Sequence, residues 1–257
     1  MGRKSDERAE TLEAGDIYFF YRPRVGVEEP AGKDDLQRLY MILHPAQKER
    51  YRLAVIGRKE LPDPAAGGRA RYWGYVETVR KDPASIRKEL GGEEYRTRTR
   101  GERHLPAARP AGEGVYRLLR HGDHTHLIYA LELPEKPGEV QEELNIAAEA
   151  SYIISIANPQ KRGRGTPGLV RQQTADYPKP LQDAFHGRKF ADADPPAFLD
   201  HEGAEFLLIA ASDDIRGELG VELQTDEETP ASADIFHDLR LDRKKRPIEP
   251  LFEGKWE

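Results

Sequence analysis

Apolar and polar positions alternate in short runs through the first 157 residues. Asp16 to Arg22 (DIYFFYR) is dense in aromatics, follows Gly15 and ends before Pro23, the pattern of a buried strand. Arg38 to His44 (RLYMILH), stopped by Pro45, predicts the next strand. Tyr51 to Gly57 (YRLAVIG) places Tyr51, Leu53 and Val55 on one face by two-residue alternation, and Arg71 to Val79 (RYWGYVETV) sets Tyr72, Gly74 and Val76 opposite Trp73, Tyr75 and Glu77. Strands this closely spaced imply antiparallel neighbours. Asp82 in an N-cap position before Pro83 starts a short helix through Leu90, stopped by Gly91 and Gly92. Gly114 to His121, the turn Gly122-Asp123 and His124 to Leu133 read as a hairpin. A helical turn over Gly138 to Asn145 leads to a last strong strand, Ala150 to Ala157. About seven strands are expected between 16 and 157, with Phe19, Leu53, Val76, Leu118, Ile128 and Ile154 in the core.

The pattern then changes. Residues 158–179 are rich in Gly, Pro and polar residues and read as a loop or linker. Pro180 to Gly187 suggests a short helix, Ala204 to Ala211 (AEFLLIAA) a buried segment of either type, and Ala231 to Arg240 another helix after Thr229-Pro230. Two prolines argue against regular structure in the closing RKKRPIEPLFEGKWE, although Leu251, Phe252 and Trp256 are suited to docking on the body. The expected organisation is a disordered tail at 1–14, a β-rich core at 15–157, the linker, and a smaller α/β part at 180–257 packed on the core. The fold class is α+β: a mainly antiparallel, barrel-like β core with a few short helices.

Composition removes several functions. The chain has no cysteine, which excludes disulfides, thiolate metal sites and cysteine nucleophiles. It is 37% hydrophobic and 33% charged, with a net charge of −6, so binding to nucleic acid or acidic membrane must be local. No apolar leader or membrane-length run is read, which makes a cytoplasmic location and no membrane partner the expectation.

The stretches GDIYFFYRPRV, RTRGERHLPAARPAGEGVY and PLFEGKWE resemble an uncharacterised family of similar length found in bacteria and fungi, over almost the whole chain. That resemblance implies no activity. Some fungal relatives carry a BTB-domain transcription factor label, but BTB domains are largely helical and the strand pattern here gives no support for one. Gly15, Asp16, Phe20 and Tyr21, with Gly74, Val76 and Glu77, also resemble the PUA-like group, including EVE domains, which implies a small closed barrel.

Two motif matches lack their context. Gly163 to Gly168 fits GxGxxG, but a charged run separates it from the preceding strand and Pro167 interrupts the helix start, so a flexible basic loop is the better reading. Ser85 to Lys88 fits SxxK without its companion motifs. Arginine is the concentrated resource. Arg96, Arg98, Arg100, Arg103 and Arg109 are opposed only by Glu102 within their segment, and the first three alternate onto one strand face. The guanidinium fork suits phosphates and carboxylates, and Tyr95, Tyr116 and His104 offer stacking surface. Lys161, Arg162, Arg164 and Arg171 form a second basic cluster. The expected function is a binding or regulatory protein for an anionic ligand, either nucleic acid or a phosphorylated metabolite, held through Arg96, Arg98, Arg100, Arg103, His104 and Arg109.

One alternative is a metal-dependent enzyme with a cupin-like site. His124 and His126 share a strand face with Glu132, as imidazole ligands of one ion must. Thr125, Leu127, Tyr129 and Leu131 form the more apolar face, so the histidine side reads first as the wet side of the hairpin and no cofactor is expected. Another alternative is an interaction scaffold whose aromatics around Tyr18, Phe20, Trp73 and Tyr75 cover a protein partner.

Overall fold

The computed structural model describes residues 9–97, 101–161, 173–229, 232–243 and 246–256. Strands β1 (Glu10–Pro23), β2 (Leu36–Pro45), β3 (Tyr51–Ile56) and β4 (Arg71–Arg80) form an antiparallel meander, followed by helix α1 (Pro83–Glu89). A separate two-stranded ribbon, β5 (Glu93–Thr97) and β6 (Gly101–Leu105), precedes the long hairpin β7 (Arg109–His121) and β8 (His124–Leu133). Helix α2 (Glu139–Leu144) leads to β9 (Glu149–Ala157), and α3 (Lys179–Ala184) to β10 (Phe190–Asp192) and β11 (Glu205–Ser212). Three short helices close the chain: α4 (Ile215–Leu219), α5 (Asp234–Asp238) and α6 (Glu249–Phe252).

Eight strands close an antiparallel barrel in the order β9-β11-β4-β3-β2-β1-β7-β8, with β8 returning to β9 and β10 attached to β9 as an extra edge. Alternation explains both its lumen and its outer layer. In β1, Ile17, Phe19 and Tyr21 belong to the main core cluster, while Tyr18 and Phe20 belong to a second cluster with Ile235, Phe236, Leu239 and Leu251 from the C-terminal segment. Ile17 to Pro23 is therefore buried on both faces, which accounts for its unbroken aromatic run. A third cluster joins Leu119 and Ile128 to Ile215 and Leu219 of α4. All six expected core residues are at most 1% exposed, with Leu53 and Ile128 in the outer clusters and the rest in the main one.

The sequence reading needs several corrections. The first strand begins at Glu10, inside the expected tail, because Glu13 turns inward to meet Arg52. The β unit does not close within 15–157: its eighth strand is β11, which pairs with β9 on one side and β4 on the other. The apolar run at Phe206 fits there because its ring covers Gly74 across the strand pair, where a Cβ would lie 2.5 Å from ring atoms. Pro250 stands in the first turn of α6, where its missing N–H costs no helical bond, so the proline-rich end does carry a helix. Asp82 caps α1 as expected, its carboxylate accepting from Ser85 N at 2.9 Å and Ser85 Oγ at 2.9 Å, which gives the SxxK serine a structural role. Among the described residues no helix is long and apolar enough to cross a membrane.

Candidate functional site

The arginine segment folds as the β5–β6 ribbon. Its strands are short, and Tyr95 faces Arg103 while Arg96 faces Glu102 across the pair. Arg96 and His104 are exposed, and Tyr95, 38% exposed, is one of two large apolar side chains among the described residues that project into solvent. β5 ends at Thr97, so the expected run of Arg96, Arg98 and Arg100 along one strand face is not formed by β5; Arg98 and Arg100 lie outside the described residues, as do Arg162, Arg164, Arg171 and the GxGxxG segment.

Beneath the ribbon lies a cleft of about 430 Å³, walled by Glu93, Glu94 and His104 of the ribbon, Arg109 of β7, and Arg246 and Pro247 of the C-terminal segment. A second cleft of about 510 Å³ holds Arg22, Arg38, Tyr40 and Lys88, and the two share Gly92 and Glu93. The combined tract gathers basic groups from β1, β2, α1, the ribbon, β7 and the chain end.

These arginines are held mainly by backbone oxygens. Arg22, 3% exposed, donates from Nη1 to Gly91 O and Pro106 O, both at 2.7 Å, from Nη2 to Glu89 O at 2.5 Å, and from Nε to the Tyr40 hydroxyl at 3.1 Å. Arg109, 6% exposed, donates to Glu28 O. Arg246 donates to Ala108 O and, at 3.3 Å, to Leu90 O. A carbonyl acceptor satisfies an N–H without itself carrying a formal negative charge. Burial, with Arg22 and Arg87 nearby, lowers the Arg246 pKa to about 10. Glu28, Glu93 and Glu94 line the same walls, so the tract is mixed in charge rather than uniformly positive. His104 Nε2 is 3.7 Å from the Glu28 carboxylate, and Arg38 is paired with Glu77.

Arg22 and Arg246 escape sequence reasoning because their contacts join segments far apart in the chain. The legible signal was a charge inside an apolar run, as in FFYRP: such a residue must find polar partners when the strand is buried.

The remaining candidates are not brought together. His124, His126 and Glu132 do share the outer face of β8, but six residues of strand separate Glu132 from His126 by roughly 20 Å, too far for one ion. His126 Nδ1 lies 3.1 Å from Ser151 Oγ and 3.9 Å from the Glu218 carboxylate. Glu132 accepts from Asp226 N at 2.7 Å, and burial raises its pKa to about 7. His124 instead lines a separate cleft of about 690 Å³ with His186, Arg188 and Asp192. There, Arg120 is tied to Asp194 and Glu10. The expected wet face is covered at His126, which α4 overlies and which is 4% exposed, while His124 stays exposed. Tyr18 and Phe20 are fully buried by the chain's own C-terminal segment, and Trp73 and Tyr75 are half-buried.

In comparisons with known proteins, the chain matches no family model, no curated protein and no solved structure.

Proposed function

We propose that this chain is a binding protein for a phosphate-bearing, nucleotide-like ligand received in the cleft between the β5–β6 ribbon and the barrel. The observation that carries this reading is the pair Arg109 and Arg246, whose guanidinium groups are fixed at the cleft wall by backbone carbonyls. A fixed guanidinium loses little freedom on meeting a phosphate and presents a planar fork to it. The carboxylates of Glu28, Glu93 and Glu94 suit hydroxyl and amino donors of the same ligand, and His104 offers a ring for stacking. A volume of about 430 Å³ falls within the usual range of small-molecule sites.

The test is calorimetric titration of the full chain at low salt with ATP, and separately with a single-stranded oligonucleotide. Saturable binding of at least one probe is expected, weakened about tenfold in His104→Gln/Arg246→Gln, as loss of a charge-assisted contact implies. Absence of binding by both probes, or unchanged affinity in a folded variant, overturns the reading.

A further inference from the structure

Asp16 on β1 and His44 on β2 are direct cross-strand partners, and both project from the outer face of the barrel that also carries Tyr18. Asp238, the last residue of α5, arrives from the far end of the chain. Its Oδ2 lies 3.3 Å from His44 Nδ1 and accepts from the Tyr18 hydroxyl at 2.8 Å. Asp16 Oδ2 lies 3.5 Å from the same nitrogen. The three ligand-type atoms all sit within 4.8 Å of one another. From this geometry we infer that Asp16, His44 and Asp238 form a binding site for a divalent first-row transition metal ion such as zinc.

The spacing accommodates an ion between the three side chains. Charge-assisted N–H···O bonds close to about 2.7–2.9 Å. His44 Nδ1 is buried, yet forms no aligned hydrogen bond with either carboxylate. Ligands about 2.1 Å from a tetrahedral metal stand about 3.4 Å apart, close to the 3.3 and 3.5 Å found here. Two carboxylates and a neutral imidazole balance a dication and match the oxygen and nitrogen preferences of this metal class.

The supporting contacts are of the kind that hold metal ligands in place. Tyr51 stacks on the imidazole with ring centroids 4.2 Å apart at 14°, and its hydroxyl donates to Asp238 O at 3.3 Å, so one side chain orients two ligands. The Tyr18 hydrogen bond uses one lone pair of Asp238 Oδ2 and leaves another for the ion. His44 and Asp238 are each 21% exposed and Asp16 36%, so water can reach a fourth position. A second group joins Glu113 of β7 and Glu228 to Asp234, the first residue of α5. Glu113 accepts there from Asp234 N at 2.7 Å and Ile235 N at 3.0 Å, which explains that group as a cap on α5.

The test uses the full chain after chelator treatment, titrated with zinc and, separately, with cobalt(II). One equivalent of each is expected per chain, with the visible bands of four-coordinate cobalt and a higher melting temperature in zinc. His44→Gln should abolish the cobalt bands, and Asp16→Asn should weaken zinc binding at least tenfold. If His44→Gln does not fold, the partly exposed Asp16 position still carries the test. Failure of the wild type to bind zinc saturably, or wild-type affinity in either folded variant, overturns the inference.

Discussion

The guanidinium of Arg52 and the carboxylate of Glu13 form a two-point ion pair in the barrel interior, Nη2 to Oε2 at 3.0 Å, with Arg52 only 1% exposed. Tyr116 donates its hydroxyl to Glu13 Oε1 at 2.9 Å, Lys48 reaches Oε2 at 3.1 Å, and Arg52 Nε donates to Asp200 Oδ1 at 2.8 Å. Burial raises the Glu13 pKa, but Arg52, Lys48 and Tyr116 together outweigh it and hold the carboxyl below its usual range. Removing one member of such a pair strands the other charge in the interior. Arg52→Met should therefore lose about 3–5 kcal/mol of stability in urea unfolding. A loss under about 1 kcal/mol would show that Glu13 reaches water without Arg52.

How much of this the sequence disclosed depends on the range of each interaction. Strand positions were legible because alternation is local: Tyr51, Leu53 and Val55 do share a face. The same alternation puts Arg52 on the opposite, inward face, but its partner lies in a stretch that reads locally as a charged tail. Barrel closure was hidden for a related reason. Ala204 to Ala211 is apolar at nearly every position, and only its neighbours β4 and β9 settle strand over helix. The histidine pattern showed the opposite limit: a shared face was right, but sharing a face along a strand does not bring distant residues together.

Because β11 separates β4 from β9, a fragment covering residues 9–161 should fail to fold as a monomer. It would leave both strand edges open and uncover the apolar surface that Phe206 and Leu208 bury. Circular dichroism and size-exclusion chromatography check this; a cooperative monomeric fragment would make residues 9–161 an independent unit. In the full chain, Phe206→Ala should cost about 3–5 kcal/mol, since that ring is fully buried.

Acid should weaken the fold through His126. Burial, helped by His121 and His124, lowers its pKa from the usual 6.5 to about 4. The groups facing it are those two histidines, Ser151 on β9 and Glu218 on α4, 3.9 Å away. Between pH 6.5 and 4 the unfolded chain binds the additional proton, so stability rises with pH across this window and is lost as pH falls through it. The full swing is roughly 3 kcal/mol at 1.36 kcal/mol per pKa unit. His126→Gln should flatten that part of the stability profile; an unchanged slope would place the acid sensitivity elsewhere.

Salt dependence separates the two sources of phosphate in the proposed function. ATP placed against Arg109 and Arg246 makes its contacts inside the cleft, whereas a single strand must also run along the ribbon past Arg96. Arg96 is exposed and faces Glu102 only across the strand pair, so converting Arg96, Arg98 and Arg100 to Gln should leave the melting temperature nearly unchanged. Each single-strand phosphate neutralised contributes about 0.7 log units of affinity per tenfold change in salt, so three contacts give a slope near −2. The triple variant should flatten the oligonucleotide slope by about that amount and bind ATP as the wild type does. Equal losses for both probes would mean that ribbon and cleft act as one electrostatic surface. Loss of stability instead would show these arginines to be internal partners, and would restrict the ligand to what His104, Arg109 and Arg246 can hold.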